Sequence, residues 1–218
     1  MLALAPMPAV TLRASKRRKS LAPLPKSVTA GMTLFSLHAE ISELEKAYEA
    51  SVAAVVERRR DAEATVRSGW GLFADQDPPE PEYFEDIGYT RNFWEEVQSL
   101  EEEMDAAILH VRSAFLIVLF HTFEKWLKRV SGIQSNYREQ TARVFFSKRN
   151  ISLNFQKLAL LKDAADLAKH ESKPQAERLL RFDPDLVDRK GRLCLRTDEK
   201  LHWFFSVLRE MRFVGRDS

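Results

Sequence analysis

The sequence predicts an all-α protein, a helical bundle with two long helices, several shorter helices and a flexible basic N-terminal tail. Apolar residues recur every three or four positions through most of the chain, which is typical of helices. Glycine is rare, with 7 in 218 residues, and the prolines concentrate near the amino terminus and near residue 80. These patterns predict a tail over 1–33 and a single bundle domain over 34–218.

The tail is expected to be disordered and to pack little. Residues 1–33 hold four prolines, six basic residues and no acidic residue, and they lack apolar periodicity. They also lack the apolar centre of about 7 to 15 residues that a secretory signal needs. The basic cluster Lys16–Lys19 resembles a nuclear address, and the acid-free composition resembles a transit peptide. A targeting role therefore stays open beside a plain tail.

The first long helix is predicted over about 34–67. Its apolar residues lie on one face at spacings of three and four, and charged residues lie off that face. Gly69 and the prolines at 78, 79 and 81 interrupt this pattern. An acidic loop is therefore expected near 75–90.

The second long helix is predicted over about 91–130. Its apolar residues repeat every 3.5 positions, which favours packing against another helix, at Val97, Leu100, Met104, Ala107, Val111, Ala114 and Val118. After Ala114, apolar residues occupy every face. We therefore expect 104–127 to be the buried centre of the bundle, with Phe115 and Val118 inside the core.

Four shorter helices complete the bundle, at about 139–148, 153–170, 174–182 and 197–212. Thr197 is expected to cap the last of them. Only the segment 191–195 suggests a short extended piece.

Charge is distributed in blocks. Residues 75–105 hold twelve acidic residues and one arginine, whereas residues 106–218 hold 22 basic and 13 acidic residues. Such blocks can pair within the fold, pair across a homodimer or bind a polyanion. We therefore predict a homodimer or a protein partner, with RNA as the alternative.

Composition excludes several classes of protein. The lone Cys194 cannot form an internal disulfide or a cysteine-rich metal site, which favours a cytoplasmic location. The seven glycines form no glycine-rich phosphate loop. The longest uninterrupted apolar run, 114–120, has seven residues against the roughly 20 of a membrane span. We therefore predict no membrane segment, no cofactor and no metal.

Histidines are the first candidates for acid–base chemistry. His110 and His121 are expected to be satisfied core or boundary residues, because the paired Glu-x-x-His motifs of a metal-carboxylate bundle are missing. On the fourth predicted helix, Asp163, Asp166 and His170 share the face opposite the apolar one. Asp166, four residues before His170, would accept its ring N–H and set its tautomer. A solvated face is the alternative interpretation.

Two segments resemble the HEPN-like small helical proteins of prophage and defence neighbourhoods. Residues 112–124 are RSAFLIVLFHTFE, and residues 161–179 are LKDAADLAKHESKPQAERL. In that group a helix with a trailing Phe-Glu precedes one that ends in Ala-Asn-x-x-Lys-His, so Lys169-His170 is the most specific match. The similarity covers about residues 112–186. It implies a helical bundle, often dimeric, and in active members a metal-independent endoribonuclease whose Arg-x(4 to 6)-His motifs meet in a basic cleft between protomers.

The motif of the active members is incomplete in this sequence. No arginine lies at 163–165, where it would pair with His170, and Asp166 replaces the family's asparagine. One Arg-x(5)-His spacing is present, from Arg196 to His202. The resemblance implies that Arg196 would hold a phosphate while His202 or His170, the latter assisted by Asp166, would act as general base or acid.

Two functions remain open at this point. The first is a HEPN-like protein of a defence or toxin–antitoxin system that binds RNA or cleaves it. The second is a non-catalytic protein–protein interaction module, either antitoxin-like or an assembly subunit. The second explains the missing arginine more simply.

Overall fold

The structure, a computed structural model, describes residues 26–132 and 137–214. Within them it confirms the all-α bundle. Its helices are α1 (Lys26–Arg60), α2 (Ala62–Gly69), α3 (Phe93–Ser131), α4 (Glu139–Lys148), α5 (Phe155–His170), α6 (Lys173–Phe182) and α7 (Asp198–Arg209). Two short antiparallel pairs join β1 (Glu82–Phe84) to β2 (Tyr89–Arg91) and β3 (Ile151–Ser152) to β4 (Arg212–Phe213).

The first helix begins earlier than predicted. α1 starts at Lys26, so residues 26–33 of the expected tail are helical. The backbone carbonyl of Thr33 accepts a hydrogen bond from the Trp126 indole at 2.9 Å, and Leu34 is buried. The added turns thus join a helix that α3 contacts from residue 33 onward. The rest of the predicted tail, residues 1–25, lies outside the described residues.

The main core lies between α3 and the helices packed around it, of which α1 and α5 make the most extensive contacts. α3 buries the side chains of Leu116, Leu119, Phe120, Phe123, Trp126 and Leu127. The Trp126 ring stacks at centroid distances of 6.2 Å on Phe123 and 6.1 Å on Phe146. The prediction of a buried centre over 104–127 is thus confirmed for one face of α3, mainly over 116–127, and not for the opposite face.

The predicted 3.5-residue seam of α3 does not stay on one face. Val97 is buried, but Val118, three heptads later, is 45% exposed. A 3.5-residue repeat on a straight α-helix drifts by about 20° per heptad, or about 60° over this distance. The expectation that Val118 lies in the core is therefore wrong, and Phe115 is only partly buried against the core.

The expected acidic loop contains a β-hairpin. Phe84 pairs with Tyr89 across it, and Gly88 takes the left-handed conformation (φ 61°) that the turn requires. Between α2 and the start of α3, a second small cluster buries Val66, Phe93 and Val97.

The ends of the later helices are set by individual residues. The Asn92 side chain caps α3 by accepting from the backbone N–H of Trp94 at 3.0 Å, and Gly132 ends that helix with a φ of 71°. Thr197 precedes α7 as predicted, but its side chain makes no capping hydrogen bond. In the predicted extended piece, Leu193 forms a single β-bridge with Val187.

By length and composition, α3 is the one described helix that could cross a membrane. An 18-residue window within it has a mean hydropathy of 1.7, and 28% of that window is buried. Core helices pass the same test of length and composition. The low burial shows that the other described residues leave much of this apolar surface uncovered.

Candidate functional site

Arg112 is the centre of a polar cluster where α1, α3 and the start of α7 meet. Its guanidinium donates to the backbone carbonyls of Leu195 at 3.0 Å and Arg196 at 2.6 Å. It also donates to the Asp198 carboxylate at 3.0 Å. The Arg112 side chain is 11% exposed. Because a guanidinium offers five N–H donors in a rigid fork, one residue can hold three acceptors from a single segment.

Tyr48 completes this cluster from α1. Its hydroxyl donates to the Asp198 carboxylate and lies 3.3 Å from the Arg112 guanidinium. Burial, together with the hydrogen bond to Asp198, raises the pKa of Tyr48 to about 12. Burial alone would raise the pKa of Asp198, but the hydrogen bonds from Tyr48 and Arg112 bring it below its usual range. At neutral pH the cluster is therefore a fixed arrangement of phenol, carboxylate and guanidinium.

His202 lies beside this cluster and faces α1. Its Nδ1 is 3.0 Å from Oε1 of Glu45, and its ring packs edge-to-face on Tyr48 with centroids 6.0 Å apart. Arg209 forms an ion pair with the other oxygen of Glu45. The Glu45 carboxylate therefore orients the imidazole and is itself held by a cation.

Arg196 does not join His202. Its side chain is exposed, and its Nε donates to the Cys194 thiol at 3.4 Å. In the part of the chain that the structure describes, no hydrogen bond or ring contact connects the two residues. The predicted Arg-x(5)-His pair is thus two side chains with separate partners.

The predicted pairing of Asp166 with His170 is also absent. Asp166 binds Lys162 instead, which is four residues before it on the same helix. His170 is the last residue of α5 and is exposed. Because the helix ends there, with Glu171 in the left-handed region (φ 47°), the imidazole lies at the exposed carboxyl end of the helix.

The solvated-face interpretation is wrong for Asp163. Among the described residues, Asp163 is the one charged residue that is buried, at 7% exposure. Its carboxylate accepts two hydrogen bonds from Arg178 at 2.6 and 2.5 Å. α6 covers this part of α5 and supplies the arginine. The polar face of α5 is therefore divided between a packed part and an exposed part.

A second polar chain connects α3 with α5, and sequence reasoning missed it. Lys169 donates to Nε2 of His121, whose Nδ1 lies 2.9 Å from a Glu124 oxygen. These residues belong to the two segments that resemble HEPN-like proteins, which supplied the signal. His121 is a boundary residue, as expected, whereas His110 is exposed.

One group of side chains in the described residues has ligand atoms close enough to share a metal ion. Carboxylate oxygens of Glu45 and Glu49 and a ring nitrogen of His202 lie within 4.8 Å of one another. Glu45 is already paired with His202 and Arg209, and Glu49 is exposed. Ion pairing explains this arrangement, so we assign no metal to it.

A cleft of about 340 Å³ opens between α3, the end of α5 and residues 188–194. Its lining includes His110, Glu171 and Cys194, but none of the four predicted catalytic residues. Its one arginine, Arg192, is paired with Asp188. The cleft therefore lacks the concentration of free basic side chains that phosphate binding would need.

Arg112 stands out in the sequence although it belongs to no recognised motif. It is the only charged residue in the 18-residue stretch 106–123, and such a residue in an apolar helix needs a partner. Its partners at 195–198 are far away in sequence, so spacing could not identify them.

Comparison of the chain with family models, curated proteins and solved structures finds no match. The similarity to HEPN-like proteins therefore stays a prediction.

Proposed function

We propose that this protein is a non-catalytic interaction module that binds a basic segment of a partner protein. The observation that carries this proposal is an exposed surface of large apolar side chains around the hairpin. This hairpin surface consists of Phe73, Tyr83, Phe84, Ile87, Tyr89 and Trp94, and the side chains are 44–73% exposed. Large apolar side chains exposed together are typical of interaction sites.

The charge of the surroundings favours a basic partner. Between residues 71 and 90 the chain holds six acidic residues and no basic one. Guanidinium groups pack favourably on aromatic faces, and carboxylates beside those faces add Coulomb attraction. Phe84 and Tyr89 already stack with centroids 6.4 Å apart, which presents their rings as one platform.

The hairpin also offers backbone groups to a partner. β1 and β2 form a two-stranded sheet with no third strand among the described residues. An extended peptide can add to such an edge through main-chain hydrogen bonds, while its side chains reach the neighbouring aromatic rings. A basic segment in extended conformation is thus the occupant that fits both features.

A short labelled peptide that alternates arginine and serine tests this proposal. Fluorescence anisotropy at low salt should show binding that weakens as salt rises, because the exposed charges are screened. Ile87→Ala should weaken binding about tenfold, which corresponds to the loss of one well-packed apolar contact. Val144→Ala removes a similarly exposed valine on α4 and should leave binding unchanged.

Two results would contradict the hairpin surface as the binding site. One is equal binding of a matched peptide with glutamate in place of arginine, since charge would then play no part. The other is an equal loss of affinity in Ile87→Ala and Val144→Ala.

The Lys169–His121–Glu124 chain favours RNA cleavage as a second candidate function, because it joins the two HEPN-like segments. Cleavage of a single-stranded RNA should then survive chelators. If the Lys169–His121–Glu124 chain is catalytic, cleavage should be lost in His121→Ala. If the residues predicted from the sequence are catalytic instead, it should be lost in His170→Ala, Arg196→Ala or His202→Ala. RNA binding should weaken with a log–log salt slope of about −0.7 per phosphate neutralised. Undiminished cleavage in all four variants would contradict each site, and a lack of RNA binding at low salt would leave the interaction module alone.

A further inference from the structure

One face of α3 is largely uncovered by the other described residues, which reach it only at His121, contacted by Lys169, and at His110, which lines the cleft. At about 100° per residue, seven positions fall within an arc of about 80° on the side opposite the core. Each is exposed or only partly buried. We call this set the α3 ridge: Glu103, Ala107, His110, Ala114, Val118, His121 and Lys125.

The ridge is symmetric about its central residue. The spacings along it are 4, 3, 4, 4, 3 and 4, which read the same in both directions from Ala114. If an identical helix lies antiparallel to it with the two Ala114 residues in contact, each ridge residue therefore lies opposite a ridge residue of the other helix. Ala107 would face His121 of the partner subunit, and His110 would face Val118 of the partner subunit.

We propose that the α3 ridge pairs with the ridge of a second copy of this chain, antiparallel, with the two-fold axis at Ala114. The ridge spans 23 residues, and its two ends are about 33 Å apart along the helix. Its small alanines allow the helix axes to approach to about 8–10 Å. The uncovered apolar window of α3 is then buried between two copies. This inference does not depend on the hairpin surface.

The charges at the ends of the ridge determine the orientation. Glu103 would face Lys125 of the partner subunit, and the contact occurs twice by symmetry. Neither residue has an ion pair within the described part of the chain, whereas their neighbours Asp105 and Arg129 are paired with α1. A parallel arrangement would place Glu103 against its own copy and Lys125 against its own copy. Like charges would disfavour it.

Cysteine cross-linking tests the position of the axis. In the Ala114→Cys, Cys194→Ser double variant, mild oxidation should give a disulfide-linked dimer, because the two thiols meet at the axis. The Ala53→Cys, Cys194→Ser variant carries its thiol on the exposed side of α1 and should stay uncross-linked. Equal cross-linking of the two variants would overturn the assignment of the axis.

Charge exchange tests the register. Sedimentation equilibrium of the full chain should give twice the monomer mass of 25.2 kDa. Glu103→Lys and Lys125→Glu should each raise the dimer dissociation constant about tenfold, since each replaces two attractive contacts with two repulsive ones. The double variant should restore it.

A double variant as weak as the single variants would overturn the antiparallel register. A monomer at every concentration would overturn the dimer itself. If that monomer also sedimented with phosphatidylcholine vesicles, the uncovered face of α3 would belong to a membrane.

Discussion

Leu119→Asp is expected to leave the protein unfolded, whereas the same change one residue earlier, Val118→Asp, leaves the fold in place. Leu119 is completely buried in the main core, while Val118 is 45% exposed. An unpaired carboxylate in an apolar core costs several kcal/mol, compared with the roughly 5–15 kcal/mol by which a domain is stable. Far-UV circular dichroism and urea titration of the two variants measure the difference.

The two variants are matched in helix, in side-chain chemistry and in distance from the helix ends. Loss of helix in both would show that α3 presents a different face to the core. Val118 also belongs to the α3 ridge, where Val118→Asp would place its carboxylate opposite His110 of the partner subunit, so this pair of variants tests the core and not the dimer.

Arg112→Met is expected to lower the free energy of unfolding by about 2–4 kcal/mol. Methionine keeps the aliphatic length of the side chain but removes every N–H donor. The carbonyls of Leu195 and Arg196 then lose their donor, as does the Asp198 carboxylate. Asp198 is 48% exposed, so water compensates for part of its loss. Urea unfolding followed by tryptophan fluorescence measures the change.

The matched control is Arg196→Met. Its guanidinium is exposed, so the free energy of unfolding should stay unchanged. A loss as large as that of Arg112→Met would show that the polar cluster depends on the Arg196 side chain. An unchanged stability in Arg112→Met would show that the cluster does not hold α7 to the core.

Periodicity predicted the helices well because burial on one face imposes a spacing that survives in the sequence. α4 has the predicted bounds, and α5 ends at the predicted residue. The hairpin was missed because prolines and carboxylates dominate 75–90, although Tyr83, Phe84, Tyr89 and Thr90 are residues that favour strands. The start of α1 was predicted too late because residues 26–33 carry no regular apolar repeat.

Side-chain partners could be predicted only in part. Helical spacing placed Asp166 within reach of His170, but it placed Lys162 equally close, and the ammonium is the partner. Glu45, which orients His202, lies 157 positions away in sequence. No local rule identifies such a partner, because the contact exists only once α1 and α7 have packed together.

The small cluster between α2 and α3 has a consequence for the dynamics of the chain. Three buried side chains hold α2 to the start of α3, whereas the main core contains most of the large buried residues. Native proteins open in cooperative units whose opening energies follow the apolar surface that each unit buries. We therefore expect residues 62–97 to exchange their amide hydrogens by opening as a unit, before the rest of the chain unfolds. Part of the binding free energy of a ligand that orders this unit is used for the ordering. The affinity of that ligand therefore depends on the stability of the cluster of Val66, Phe93 and Val97 as well as on the contacts of the ligand itself.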